Sequence, residues 1–131
     1  MLEEDVYKTI GEDGFRRLVA AFYRQVPDDS ILGPMYPRED LEGAEYRLCM
    51  FLIGRFGGPP TYIEERGHPR LRRRHIRLRI GPAERDAWML CMGAALDEVV
   101  ADPAVRELLH GAFLKLADWV RNDSENPHDK R

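Results

Sequence analysis

An all-α fold is what this sequence predicts, on three observations. Four segments repeat apolar residues at offsets of three and four, the spacing of one helical face. Strings rich in Gly and Pro separate those segments. No stretch alternates apolar and polar residues long enough, or with an evident partner, to suggest a sheet. With 131 residues, 44% of them hydrophobic and 33% charged, the chain fits one domain with a single core and room for one small ligand.

The first helix is expected over residues 13–26, where Phe15, Leu18, Val19, Phe22, Tyr23 and Val26 share a face; Pro27, Asp28, Asp29 and Ser30 end it. The string SILGPMYP at 30–37 is too interrupted for more than one short turn. A second helix is expected from Glu39 to Phe56, with Leu41, Ala44, Leu48, Phe51, Leu52 and Arg55 along one side, and GGPP at 57–60 stops it. Residues 61–80, TYIEERGHPRLRRRHIRLRI, have weak periodicity. They read as a loosely structured connection with a short helix over 69–75, because Pro69 suits a first helical turn. Ile76, Leu78 and Ile80 have strand spacing, but the run is short and filled with arginine. Pro82 opens a third helix to Ala101, buried through Trp88, Cys91, Met92, Ala95 and Val99. Pro103 opens a fourth to Arg121, with Val105, Leu108, Leu109, Ala112, Leu116 and Val120 inward. Residues 1–122 thus form the domain, and 123–131 a polar tail expected to be disordered.

Charge is distributed unevenly. The net charge is −3, yet Arg66–Arg79 holds seven of the seventeen arginines and two of the four histidines, which leaves about −10 on the rest. No acid occurs between Glu65 and Glu84. Such a cationic stretch calls for an anionic neighbour: phosphate, nucleic acid, a membrane surface, an acidic protein face or a cofactor bearing carboxylates. The acidity of the whole chain and the lack of a nucleic-acid motif argue against nucleic acid. No apolar run reaches about eighteen residues, so no membrane span is expected. The opening MLEEDVYKTIGED lacks the order of a secretory signal, and Cys49 and Cys91 fall within apolar helical patterns as small buried fillers. Both features point to a reducing cytoplasm.

Few residues carry chemistry. His68 and His75 are seven apart and would share a face of a continuous helix, but Pro69 disfavours helix at His68. No Cys, Asp or Glu lies between 66 and 83, so a zinc site is not expected. His75 alone reads as a partly buried structural histidine or as a ligand. Tyr23 and Trp88 fall on apolar faces, and Tyr36 sits in a turn flanked by Gly and Pro. Each bears a donor that needs a partner when buried, so the three suit either core packing or a polar ligand in an apolar pocket.

The string GAEYRLCMFLIGRFGGPPTYIEERGHPRLRRRHIRLRIGPAERDAW at 43–88 resembles the group II truncated haemoglobins. RGHPRLR-x-RH, FL-x(4)-GGP-x-x-Y and ERDAW match that group's pattern, as do Phe22-Tyr23 and Met35-Tyr36-Pro37, and the likeness spans residues 7–120. It implies a truncated globin, a two-on-two helical sandwich around a haem b. In that likeness His75 is the proximal ligand of the haem iron, and Tyr23, Tyr36 and Trp88 are distal residues. Ala44 is the small residue where other globins carry a distal histidine. Leu48 and Phe51 line the distal side, Leu71 and Ile80 contact the cofactor, and Arg47, Tyr62 and Arg74 lie near the propionates. Two departures stand out: Gly11-Glu12 replaces a pair of glycines, and Ile76-Arg77-Leu78 replaces small-Pro-Phe after the proximal histidine.

The function so implied is reversible binding of O2, NO, CO or a similar diatomic, with distal donors slowing release. NO detoxification or peroxidase-like turnover would further need an electron donor that the sequence does not name. The expected assembly is a monomer or homodimer. The rival from another class is a haem-free helical module that uses Arg66–Arg79 for an acidic partner or nucleic acid.

Overall fold

The computed structural model describes residues 1–123, and among them every regular element is helical. The six α-helices are α1 (Val6–Gln25), α2 (Leu41–Arg55), α3 (Thr61–Arg66), α4 (Leu71–Arg74), α5 (Pro82–Val99) and α6 (Pro103–Trp119). Short 3-10 turns occupy Glu3–Asp5, Val26–Asp28, Gly33–Met35 and Arg38–Asp40. Helix α1 packs on α2 and on α5, and α5 packs on α6. Two helix pairs are therefore stacked through α1 and α5, the two-on-two arrangement expected from the resemblance.

Local chemistry sets the helix ends. Pro82 and Pro103 occupy first-turn positions where the missing N–H costs nothing. Glu84 accepts from the Gly81 N–H at 2.7 Å, and Asp102 accepts from the Ala104 N–H at 2.9 Å, so both starts are capped. Helix α1 begins earlier than the sequence pattern indicates. It runs through Gly11, whose φ of 72° and ψ of 179° break the helical path. The tight first corner is thus made by one glycine, not by the family's pair. At the far end of α2, Gly57 has φ +100°, and a Cβ there would lie 1.9 Å from the Glu4 carbonyl oxygen. Only glycine lets the N-terminal turn come so close. The Tyr7 N–H then donates to Phe56 O at 3.0 Å, and Arg55 reaches Glu3 at 2.6 Å.

Rings run through the core without interruption. Phe15 meets Phe56 at 6.0 Å, Phe56 meets Phe113 at 5.8 Å, Phe113 meets Trp88 at 6.0 Å, and Trp88 meets Phe22 at 5.4 Å. These contacts join α1, the end of α2, α6 and α5. Phe15, Phe22, Phe56 and Phe113 are fully buried, and burying each contributes about 1.5–3 kcal/mol of transfer free energy. Cys49 and Cys91 are free and buried, as expected.

Helix α2 carries its apolar residues at two depths. The residues in the core are Cys49, Met50, Leu52 and Ile53, whereas Leu41, Ala44, Leu48 and Phe51 pack against the core while staying half-buried. Arg55 is on neither face of the core; it lies over the Phe56 ring at 5.1 Å. The connection after α2 is also more ordered than expected. Helix α3, missed by the sequence reading, closes at Gly67 with φ +77°. The next helix starts at Leu71 and not at Pro69, because Arg70 takes a left-handed conformation with φ 45° and ψ 54°. His68 braces that bend by accepting the Arg70 N–H on Nδ1 at 3.1 Å.

Candidate functional site

His75 follows α4 directly. Its backbone N–H reaches Leu71 O at 3.2 Å and Arg72 O at 3.3 Å, and its ring Nδ1 lies 2.6 Å from the Leu71 carbonyl. A carbonyl only accepts, so Nδ1 carries the proton and donates. That assignment leaves the Nε2 lone pair for another partner, the arrangement in which imidazole ligates a metal. Leu71 and His75 are both half-buried. Arg74 turns back: Nε donates to Pro69 O at 2.7 Å and Nη2 to Arg66 O at 3.1 Å, with its guanidinium 5.8 Å over the Tyr62 ring. Tyr62 in turn meets Phe51 edge-on at 5.7 Å, which ties this segment to α2.

The loop beyond His75 is held from far along the chain. Asn122, just past α6, donates through Nδ2 to the carbonyls of His75 at 3.0 Å and Leu78 at 2.7 Å. Its Oδ1 accepts the Ile80 N–H at 2.8 Å. Ile80 O accepts the backbone N–H groups of Asn122 at 2.9 Å and Asp123 at 3.1 Å, and Arg79 pairs with Asp123. Ile80 itself is buried.

Three donors assemble on the other helices. Tyr23 of α1 and Tyr36 of the turn region meet at right angles with centroids 5.5 Å apart. Phe22 sits among them, 5.2 Å from Tyr23, 6.4 Å from Tyr36 and 5.4 Å from Trp88 of α5. Burial pushes the Tyr36 phenol up to about 12, with a hydrogen bond from Trp88 pulling the other way. Burial also pushes Tyr23 far up, opposed by the charge of Arg47. Both hydroxyls therefore keep their protons at any physiological pH, and the indole N–H can only donate. Tyr23 is 8% exposed, yet among the described residues no hydrogen bond takes up its hydroxyl.

The structure thus groups Tyr23, Tyr36 and Trp88, groups Phe51, Tyr62 and Arg74, and sets Leu71 against His75. Ala44 and Leu48 continue the half-buried stripe of α2 that ends in Phe51. It does not join Arg47 to Arg74: Arg47 pairs with Asp40 at 3.1 Å, while Arg74 is engaged by backbone carbonyls. Two solvent-open grooves of about 390 and 500 Å3 lie between the outer faces of α5 and α6 and include none of these residues. Sequence reasoning missed Phe22 as the hinge of the donor cluster, and it missed Asn122 altogether. The adjacent Phe22-Tyr23 pair is the local sign of Phe22's place; no local pattern points to Asn122.

The donor set fits a haem. One imidazole has an uncommitted nitrogen, one apolar stripe is incompletely buried, and one hydroxyl inside the protein lacks a protein partner. The sequence profile of the bacterial-like globin family matches residues 5–122. Fold, site and profile together define a haem-binding globin, and the haem-free reading of the arginine stretch falls away. The group 2 truncated hemoglobin YjbI of Bacillus subtilis is 39% identical over 119 residues, covering 91% of this chain and 89% of its own. A thermostable hemoglobin from Thermobifida fusca superposes with a TM-score of 0.87 at 45% identity, over 92% of this chain and 98% of that one. The truncated oxygen-avid haemoglobin from Bacillus subtilis superposes at 0.85 with 38% identity, over 89% and 98%. The chain belongs to the group II truncated haemoglobins. Among the described residues no helix is long and apolar enough to cross a membrane.

Proposed function

We propose that this chain holds haem b through His75 Nε2 and binds O2, and also NO or CO, beside Tyr23, Tyr36 and Trp88. The haem supplies the iron at which the diatomic binds. The observation that carries the reading is the 2.6 Å contact from His75 Nδ1 to Leu71 O, which fixes the tautomer that presents Nε2. Leu48, Phe51, Leu71 and Ile80 supply apolar contact, and small Ala44 leaves a way in. Arg47, Tyr62 and Arg74 are the groups for the propionates, through charge-assisted and hydroxyl hydrogen bonds.

A bound diatomic that gathers negative charge is favoured by hydrogen-bond donors aimed at it. Two phenols that keep their protons and an indole N–H supply such donors, so release is slow. A relative described as oxygen-avid supports this direction. The same pocket suits NO dioxygenation or peroxidase-like turnover when an external electron donor is present. We place the protein in the cytoplasm, as a monomer or homodimer, with its two free thiols reduced.

The test replaces His75 by Ala in the haem-reconstituted protein. Loss of the native axial signature in the absorption spectrum is expected, with recovery on adding imidazole. A spectrum identical to wild type would refute the assignment.

A further inference from the structure

We infer that Asn122 is a positioning residue for His75: its carboxamide fixes the loop that leaves the imidazole and so sets how the ring is presented to the iron. The inference rests on the reading of His75 as the axial ligand. Helix α4 has only four residues, and its start is bounded by Arg70 in a left-handed conformation. A single helical turn is not stable alone, because nucleation fixes several residues for one hydrogen bond. The chain after His75 offers little anchorage: Ile76 is 72% exposed and Leu78 is 36% exposed. The next buried side chain is Ile80. Between those points the loop also lacks the proline that the resemblance leads one to expect, since Ile76-Arg77-Leu78 stands there.

Asn122 supplies the missing restraint. One carboxamide satisfies two loop carbonyls, those of His75 and Leu78, and one loop N–H, that of Ile80. Two donors and an acceptor on one short side chain describe asparagine; aspartate lacks the donors and serine has one. Asn122 is itself held in place. Arg121 is 9% exposed and lies 3.6 Å from Asp118, and Asp118 also pairs with Arg85 in the first turn of α5. The link therefore runs from the α5–α6 contact, through Asn122, to the backbone of His75. The ring is fixed on its N-terminal side by Leu71 and on its C-terminal side by Asn122.

The test uses the full chain loaded with haem. Asn122→Ala removes all three side-chain hydrogen bonds, and Asn122→Ser keeps a hydroxyl that can make one. Asp102→Ala, which uncaps the opposite end of α6, is the control for simple loss of stability. In the ferrous protein, Asn122→Ala should shift or broaden the iron–histidine stretching band in resonance Raman spectra, with Asn122→Ser between it and wild type. Haem transfer to apomyoglobin should be about tenfold faster in Asn122→Ala, the change that one or two lost hydrogen bonds produce. Exchange of the Ile80 amide should quicken in the same order. Asp102→Ala should lower the Tm and leave the band in place. An unmoved band in both Asn122 variants, or an equal shift in Asp102→Ala, would overturn the inference. Absence of the band from wild type would remove the axial-ligand reading itself, and this inference with it.

Discussion

Replacing Trp88 by Phe isolates one N–H. The indole packs on Phe22 at 5.4 Å and on Phe113 at 6.0 Å, and a phenyl ring can keep both contacts. What it cannot keep is the donor. A hydrogen bond to a charged or strongly polarised acceptor is worth about 1.5–3 kcal/mol, and 1.4 kcal/mol is tenfold in rate, so O2 should leave about 10- to 100-fold faster. Part of the loss runs through Tyr36. Trp88 donates to the Tyr36 oxygen and so holds that phenol below the value burial alone would give; without the indole the Tyr36 hydroxyl is a weaker donor. Combining Trp88→Phe with Tyr36→Phe should therefore cost less than the sum of the singles, a coupling that a double-mutant cycle measures. The assay is stopped-flow displacement of O2 by CO in the ferrous protein. Release within about twofold of wild type in Trp88→Phe, with additive behaviour in the double variant, would show that the indole N–H does not serve the ligand.

Two further outcomes follow from other parts of the fold. Gly57→Ala places a Cβ 1.9 Å from the Glu4 carbonyl oxygen at a φ of +100°, so stability should fall by about 3 kcal/mol and calorimetry should show a Tm lower by about 10 °C; a drop under about 2 °C would mean that the N-terminal turn yields freely. The pH dependence concerns Tyr36, whose folded pKa of about 12 exceeds its ordinary 10.0. The folded state holds this proton more tightly than the unfolded one, so its contribution is complete below pH 10 and is lost as pH rises toward 12. A rise of that size corresponds to about 2–3 kcal/mol. Urea midpoints taken from neutral to strongly alkaline pH should therefore fall less steeply in Tyr36→Phe than in wild type, and parallel curves would contradict this.

The long helices were legible because each signal is local. Phe15, Leu18, Val19 and Phe22 repeat at helical offsets and are all fully buried, and Pro82 and Pro103 mark two helix starts to the residue. Helix α3 escaped because six residues span under two turns, too few for a period to emerge. On α2 the limit is different. Apolar spacing identifies one side of the helix but not depth: Ala44, Leu48 and Phe51 stay half-buried against the core that Cys49, Leu52 and Ile53 fill. The arginine stretch shows a third limit. Arg72 lies 5.2 Å over Trp119, Arg74 binds two carbonyls and Arg79 pairs with Asp123, so three of its seven cations have local tasks that no count of charges reveals.

The hydrogen bond from Asn122 to the His75 carbonyl spans 47 residues. That separation imposes an order on the making of the protein. At synthesis rates of about 5–20 residues per second, the ribosome adds Asn122 roughly 2–9 s after His75. Through that interval the nascent chain already carries α2, the arginine stretch and His75 with the Leu71 carbonyl its ring meets, while the Asn122 bonds to the loop that follows α4 have yet to form. The final geometry of that loop waits for the residues after α6, so in this chain the backbone at His75 is completed only as synthesis nears its end.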